Sequence, residues 1–206
     1  MNLLKRILLI VFTIIIAFGL IISANYLTRS KVEANEEAKI QAAFDAVFPD
    51  AASFDEPNYR ADYLQRYLTE NGFPSDQVFV NQITFARDEF REVQGIVAYV
   101  SGYKKFGGII RMLVGISNDG TVNGFRILSI SDAKGLDFKV KDSEFEAQFE
   151  GVRTDRFLPV SYESSSPSEI VMENGAEDAS QAVIRAVNAA ILANTFIDEY
   201  YGGVIG

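Results

Sequence analysis

Hydrophobic residues are continuous in the first part of the chain and periodic in the rest. No charged residue interrupts the stretch from Ile7 to Ala24, which is rich in Leu, Ile, Val and Phe. About 20 such residues cross the hydrocarbon core of a bilayer as a helix, so we predict one transmembrane helix over residues 7–27. Lys5 and Arg6 precede it, and basic residues favour the cytoplasmic side. We therefore expect residues 1–6 to be cytoplasmic and the remainder to be extracytoplasmic.

A cleaved signal peptide is the alternative interpretation of the same stretch, with Ile22-Ser23-Ala24 as the cleavage site. The apolar region is long for a signal peptide, and Ile is a poor residue three positions before a cleavage site. The pattern favours an uncleaved, single-pass anchor in the cell membrane.

Four later segments have the composition or apolar spacing of helices: residues 33–48, 60–70, 142–149 and about 175–200. Pro49, Asn71-Gly72 and Gly151 end the first three. The last segment has the clearest apolar stripe, and its residues are mostly small, which lets a helix lie close against a sheet. The stripe consists of Ala179, Val183, Ala186, Val187, Ala190 and Ile191.

Alternating and β-branched residues begin at Gln77. Three segments have the pattern of strands: Glu92–Val100, Ile109–Ser117 and Thr121–Ile130. Asn118-Asp119-Gly120 joins the last two as a tight hairpin, because Asp-Gly tolerates the positive φ of such turns. These elements predict an α+β fold, a mostly antiparallel sheet with helices packed on it.

Composition excludes several kinds of chemistry. The chain has neither Cys nor His, which excludes disulfides, thiolate-bound iron–sulfur clusters, imidazole catalysis and most zinc or haem ligation. Carboxylate-bound calcium or magnesium stays open, but no loop has the ligand spacing of a calcium hand, so we predict no metal site. No residue is assigned a catalytic role. After Ala24 the chain carries 17 basic and 28 acidic residues. A net charge of −11 argues against a nucleic-acid partner.

Glycine-rich segments of the predicted sheet resemble the FMN-binding domain. That domain occurs in the G subunit of the Rnf ion-translocating ferredoxin:NAD oxidoreductase and in the C subunit of the sodium-translocating NADH:quinone reductase. The resemblance is carried by Gly102-Tyr103, Gly107–Ile116, Asp119-Gly120, Gly124–Leu128, Lys134-Gly135-Leu136, Phe145–Gly151, Gly175-Ala176, Ser180 and Ala182–Ala190. It spans about residues 95–195.

The resemblance implies a domain plan, a cofactor and partners. An FMN-binding-like domain is expected over residues 91–201, after a helical stalk and lead-in over 28–90 and before a tail over 202–206. The implied cofactor is FMN, and the implied partners are other membrane subunits of a redox complex. The implied cofactor-binding positions are Tyr103, Gly107, Gly108, Gly135, Leu136, Asn174, Gly175, Ala176, Glu177 and Ser180.

The flavin-attachment motif itself is degenerate. The family reads Asp-x-x-Ser-Gly-Ala-Thr, and the last Thr takes FMN through a phosphoester bond. Here the motif covers Val171 to Glu177, with Asn174 in place of Ser and Glu177 in place of the acceptor Thr; Ala179 replaces a later Thr. An acyl phosphate on a carboxylate would hydrolyse readily, so we expect FMN to be non-covalent or absent.

Each of these positions also has a plain structural interpretation. Gly107-Gly108 can be a bend or bulge at the start of a strand, and Lys134-Gly135-Leu136 an ordinary turn. Glu177 and Asp178 can be ordinary acidic residues of a helix N-terminus, and Tyr103 a core aromatic residue.

Two hypotheses for the function follow. The chain is a membrane-anchored subunit of an Rnf-like electron-transport complex, without covalent FMN. Alternatively, it is a non-catalytic assembly or ligand-binding module that keeps the FMN-binding fold. In either case the chain is expected to be at most a non-autonomous electron-transfer subunit of an ion-translocating oxidoreductase.

The topology is testable on the native protein. We expect the purified chain to begin at or near Met1, to remain with membranes after an alkaline wash, and to expose residues from about 35 onward outside the cytoplasm. A mature N-terminus at Asn25 would contradict the anchor.

Overall fold

A six-stranded antiparallel sheet forms the centre of the structure, a computed structural model that describes residues 37–153, 160–161 and 169–202. The strands are neighbours in chain order: β1 Ser53–Asp55, β2 Val78–Arg87, β3 Val93–Tyr103, β4 Ile109–Ser117, β5 Thr121–Ile130 and β6 Val152–Arg153. Two short strands, β7 Val160–Ser161 and β8 Ile170–Val171, form a separate parallel pair.

Helices accompany the sheet. They are α1, described over residues 37–47, α2 Ala61–Glu70, a 3₁₀ helix Asp137–Lys141, α3 Ser143–Ala147 and α4 Glu177–Tyr201. The predicted α+β class with a mostly antiparallel sheet is confirmed. The chain divides into two units, Met1–Gln41 and Ala42–Gly206, and the contacts below belong to the second.

The predicted transmembrane helix over residues 7–27 lies outside the described residues, as do residues 1–6 and most of the tail. Over the ranges that the structure describes, no helix is long and apolar enough to cross a membrane.

The strand predictions were accurate for β4 and β5, whose bounds agree with the sequence pattern. β3 continues beyond Val100 to Tyr103, and a long strand, β2, pairs with it ahead of the predicted domain start at residue 91. The sequence pattern did not predict β2 as a separate strand. Buried and exposed residues alternate only in its first part, and four successive residues ending at Ala86 are buried.

Helix α4 packs on one face of the sheet at very short range. A Cβ atom on Gly102 of β3 would lie 2.5 Å from the carbonyl oxygen of Ala182 in α4. The predicted stripe from Ala179 to Ile191 is buried, and Val187 is 0% exposed. Small side chains on both elements permit this contact, as the sequence indicated.

Residues 47 and 48 cover the opposite face. A Cβ atom on Gly95 of β3 would lie 2.6 Å from the ring of Phe48, and one on Gly115 of β4 would lie 3.0 Å from Val47. Residues alternate between the two faces of a strand, so Gly102 and Gly95 make room for chain segments on opposite sides. The sheet is therefore buried on both faces.

Three phenylalanine rings fix α3 against β5. Phe145 and Phe149 are 0% exposed, and their ring centroids lie 6.4 and 5.0 Å from that of Phe125 in edge-on arrangements. The Phe145–Gly151 part of the resemblance is thus core packing, and the segment ends at Gly151, whose φ is +74°.

Most of the residues of helix α4 belong to the hydrophobic core, so a charged residue in its apolar stripe should unfold the protein. We expect Val187→Asp to cost roughly 3–5 kcal/mol, because an unpaired charge would enter the interior. That is a large share of a typical domain's stability. Chemical denaturation of the full chain followed by circular dichroism measures the loss. Thr195→Asp, at an exposed position of the same helix, is the control, and equal stability of both variants would show that the buried face is misassigned.

Candidate functional site

Three chain segments meet at the N-terminal end of α4. They are the β3–β4 turn (residues 104–108), the β5 loop (residues 131–136, between β5 and the 3₁₀ helix) and the pre-α4 segment (residues 172–176). All the implied cofactor-binding residues lie in these segments or beside them, so the structure brings together positions that are up to 77 residues apart in the sequence.

A buried ion pair joins the β3–β4 turn to the 3₁₀ helix that follows the β5 loop. The ammonium of Lys104 donates to the Asp137 carboxylate at 2.8 Å and to the carbonyl oxygen of Asp132 at 2.8 Å. The two ionic side chains are only 2% and 10% exposed. The Asp137 carboxylate also accepts the backbone N–H of Lys134, so a single carboxylate organises the loop.

Burial of Asp137 would by itself raise its carboxyl pKa. The hydrogen bonds from Lys104 and from the Lys134 backbone, together with the Lys104 charge, outweigh that effect and place the pKa below its ordinary value. Asp137 is therefore ionised at neutral pH.

Gly108 has a structural requirement that does not involve a cofactor. Its φ is +95°, and a Cβ atom there would lie 2.5 Å from the carbonyl oxygen of Ser131 and 2.6 Å from Cε of Lys104. The lysine side chain crosses over this residue to reach Asp137. Gly107 also has positive φ, +96°, but open space around it, so the pair forms the turn that the plain structural interpretation anticipated.

Glu177 occupies the first turn of α4 and folds back onto the pre-α4 segment. Its carboxylate accepts the backbone N–H of Gly175 at 2.9 Å. That hydrogen bond, followed by one from its own backbone N–H, lowers the pKa of Glu177. Gly175 has φ +81°, and a Cβ atom there would lie 2.9 Å from Cδ1 of Leu136, so Leu136 covers this glycine.

Asp178 connects α4 to the β3–β4 turn. Its carboxylate accepts the backbone N–H of Lys105 at 2.7 Å and that of Phe106 at 3.2 Å. Two adjacent N–H groups directed at one site form the type of concavity that binds anions. In this chain the anion is a side chain of the protein itself.

Ser180 acts on the backbone and is 0% exposed. Its hydroxyl donates to the carbonyl oxygen of Ala176 at 2.9 Å and accepts the N–H of Glu173 at 3.0 Å. The hydroxyl therefore links the pre-α4 segment to the first turn of α4. Ala176, the last residue of that segment, is buried.

The remaining predicted positions lie at the margin of the site. The carbonyl oxygen of Asn174 accepts the ammonium of Lys139 at 3.2 Å, and Gly135 has φ +55° with open space around it. Tyr103, at the end of β3, is partly buried, and its carbonyl oxygen accepts Arg185. Lys104 and Asp137 were not predicted, since 33 residues separate them and neither belongs to a motif.

The sequence of the chain has relatives of named function. It is 28% identical over 176 residues to the G subunit of the proton-translocating ferredoxin:NAD(+) oxidoreductase complex of Clostridium ljungdahlii, a match that covers 84% of this chain and 82% of the relative. It is 33% identical over 101 residues to the G subunit of the ion-translocating oxidoreductase complex of Methanosarcina acetivorans, a match that covers 47% of this chain and 50% of that relative. The chain is similar to these G subunits. The resemblance predicted from the glycine-rich segments is thereby confirmed.

Comparisons with solved structures and with family models add two findings. The crystal structure of Shewanella oneidensis NqrC matches with a TM-score of 0.47 at 16% identity, over 59% of this chain and 61% of that one. No protein-family model matches the chain.

The residues at the N-terminal end of α4 do not fit a covalently bound FMN. The acceptor position that the resemblance implies holds the carboxylate of Glu177, and that carboxylate already accepts the Gly175 N–H. The N–H pair of the β3–β4 turn, which could donate to a phosphate oxygen, is bonded to Asp178. Both groups that would favour a phosphate here are held by acidic side chains of the chain itself.

The Lys104–Asp137 pair makes stability dependent on pH in a defined window. Because the pKa of Asp137 is lowered by folding, its contribution is complete above the ordinary carboxyl pKa of about 4 and is lost as pH falls through the lowered value. Asp137→Asn should lose roughly 3–5 kcal/mol at pH 7, since it leaves Lys104 buried without a counter-charge. Its unfolding free energy should also fall less than that of the wild type between about pH 4 and pH 2.

Two matched variants test this effect. Asp142→Asn, at an exposed position, should change the unfolding free energy by less than about 0.5 kcal/mol. Lys104→Met combined with Asp137→Leu should recover part of the loss. Denaturant titrations of the four proteins at a series of pH values measure these quantities, and parallel pH profiles of wild type and Asp137→Asn would refute the assignment.

Proposed function

We propose that this chain is a membrane-anchored subunit of an Rnf-like electron-transport complex and that it carries no covalent FMN. Similarity to two G subunits supports the complex. The observation that carries the second part is the pair of first-turn carboxylates, Glu177 and Asp178, bonded to the Gly175, Lys105 and Phe106 N–H groups. Its partners are then other membrane subunits of that complex.

Within that complex the chain acts as an assembly or ligand-binding module. This second proposal is supported by the way in which the FMN-type segments are used for packing. The Ser180 hydroxyl bonds to two backbone groups of the pre-α4 segment, Leu136 covers Gly175, and Lys104 crosses Gly108. An FMN bound here without a covalent bond would have to compete with Asp178 for the N–H groups of the β3–β4 turn.

Membership of the complex is tested by purification from native membranes. A tag at the C-terminus leaves the predicted anchor free, and mild detergent extraction should yield the chain with subunits of a ferredoxin:NAD oxidoreductase, identified by mass spectrometry. Membranes of a deletion strain should lose ferredoxin-dependent NAD reduction. Recovery of the tagged chain without such subunits, together with full activity of the deletion strain, would contradict the proposal.

The charge arrangement is tested by rebuilding the attachment motif. The four-substitution variant Val171→Asp, Asn174→Ser, Glu177→Thr and Ala179→Thr supplies the hydroxyl, and adding Asp178→Ala frees the N–H groups of Lys105 and Phe106. We expect little flavin on the first variant and a clear fluorescent band on a denaturing gel for the second, each co-expressed with a flavin transferase. The reason is that Asp178 holds the position of the phosphate until it is removed.

The matched control keeps Glu177 and carries the other four substitutions. It should remain unlabelled, because only a hydroxyl forms a stable phosphoester. Labelling of this control, or equal labelling with and without Asp178→Ala, would show that the acidic pair does not govern the site.

A further inference from the structure

The turn between β2 and β3 (residues 88–92) carries the most exposed aromatic ring of the described residues. Phe90 is 83% exposed. Because β3 is antiparallel to both of its neighbours, this turn and the β3–β4 turn lie at opposite ends of an 11-residue strand, on the order of 30 Å apart. A single exposed apolar residue is common on protein surfaces. Phe90 differs from such a residue in the rigidity of the turn that carries it.

The carboxylate of Asp88 holds this turn from within. It accepts the backbone N–H groups of Phe90 and Glu92, each at 2.9 Å, and the side-chain amide of Gln94 at 3.1 Å. Two backbone hydrogen bonds close the same turn. The N–H of Asp88 donates to the carbonyl oxygen of Glu92 and the N–H of Arg91 donates to that of Asp88, each at 3.0 Å. The backbone on both sides of Phe90 is therefore fixed.

Arg91, which follows Phe90, has a strained backbone. Its φ is +67°, in the left-handed region that favours glycine. Its carbonyl oxygen accepts the guanidinium of Arg87 at 2.8 Å, and that guanidinium is also paired with the Asp55 carboxylate of β1. A strained residue persists only where the surrounding contacts enforce it. A turn that is held in one shape can bind a partner without the entropic cost of ordering a loop.

An open cleft of about 490 Å³ adjoins the ring. Phe90 forms one wall, and the charged residues of the lining, Asp50, Asp88 and Glu89, are all acidic. The turn itself has three acidic residues and one basic residue, Arg91. A complementary surface therefore needs an apolar pocket for the ring and basic side chains for the carboxylates.

We propose that the β2–β3 turn is a docking surface for another protein subunit of the complex and that Phe90 is its anchor. The partner offers an apolar pocket to the ring and lysine or arginine side chains to Asp50 and Glu89. The acidic surroundings disfavour an anionic lipid surface, and they disfavour the same turn of a second copy of this chain. This inference rests on the proposed membership of an Rnf-like complex.

Co-purification from native membranes with the tagged full chain tests the proposal. Phe90→Ala should recover about one tenth or less of the subunits that the wild type recovers, as is typical of an aromatic anchor. Glu89→Lys should cause a smaller loss, about two- to fivefold. Tyr63→Ala, which removes a ring that is 47% exposed on α2, is the matched control and should recover wild-type amounts. Thermal melting of each variant should be close to that of the wild type, because the replaced side chains are exposed.

Photo-crosslinking identifies what binds the turn. With p-benzoylphenylalanine in place of Phe90, we expect a cross-link to a co-purifying subunit, at a segment rich in Lys or Arg. The same group in place of Tyr63 should give none. Cross-links only to lipid or to a second copy of the chain would overturn the inference, and so would equal recovery of subunits by Phe90→Ala and the wild type. A wild-type chain that recovers no such subunits would contradict the proposed function, and this inference with it.

Discussion

The close packing of α4 on the sheet is the contact on which the rest of the structure depends. At Gly102 and Ala182 a side chain on the strand would meet the helix backbone at 2.5 Å, so β3 admits only glycine at that position. With its stripe buried there, α4 places its N-terminal end among the three segments of the candidate site and its C-terminal part beside α2. Burial of the apolar stripe would stabilise the fold even if α4 lay farther from the sheet. The positions of the two ends of α4, however, depend on the short distance between β3 and α4 at Gly102 and Ala182.

At the N-terminus of α4, acidic side chains of the chain itself accept the backbone N–H groups that could otherwise bind an anion. Helix N-terminal N–H groups and turn N–H groups need acceptors when they are not exposed to water. Glu177 and Asp178 supply them from within the chain, and the Lys104–Asp137 pair holds the adjacent loop. Glu177, at the position where the resemblance places an attachment hydroxyl, and the adjacent Asp178 therefore belong to one physical arrangement.

The sequence was sufficient to predict the main elements and the grouping of the site residues, but not their contacts. The periodicity of α4 and the Asp119-Gly120 turn are local signals, and both were confirmed. β2 was not predicted because both faces of the sheet are covered. A strand that is buried on both faces lacks the regular alternation of apolar and polar residues seen in a half-exposed strand. The partners of Lys104 and Asp178 lie 33 and 73 residues away along the chain, and no local pattern indicates such long-range pairs. The partners of Ser180 are local, but the resemblance implied a cofactor role for this residue rather than the backbone contacts that it makes.

The mass of the intact chain taken from its native membranes tests the central claim most directly. Electrospray mass spectrometry of the denatured protein, with in-gel fluorescence on the same preparation, reports any covalent flavin without reliance on a heterologous transferase. The account predicts the unmodified polypeptide mass and no fluorescence, because Glu177 offers no stable phosphoester and Asp178 holds the neighbouring N–H groups. A chain heavier by one FMN, attached at any residue, would contradict it.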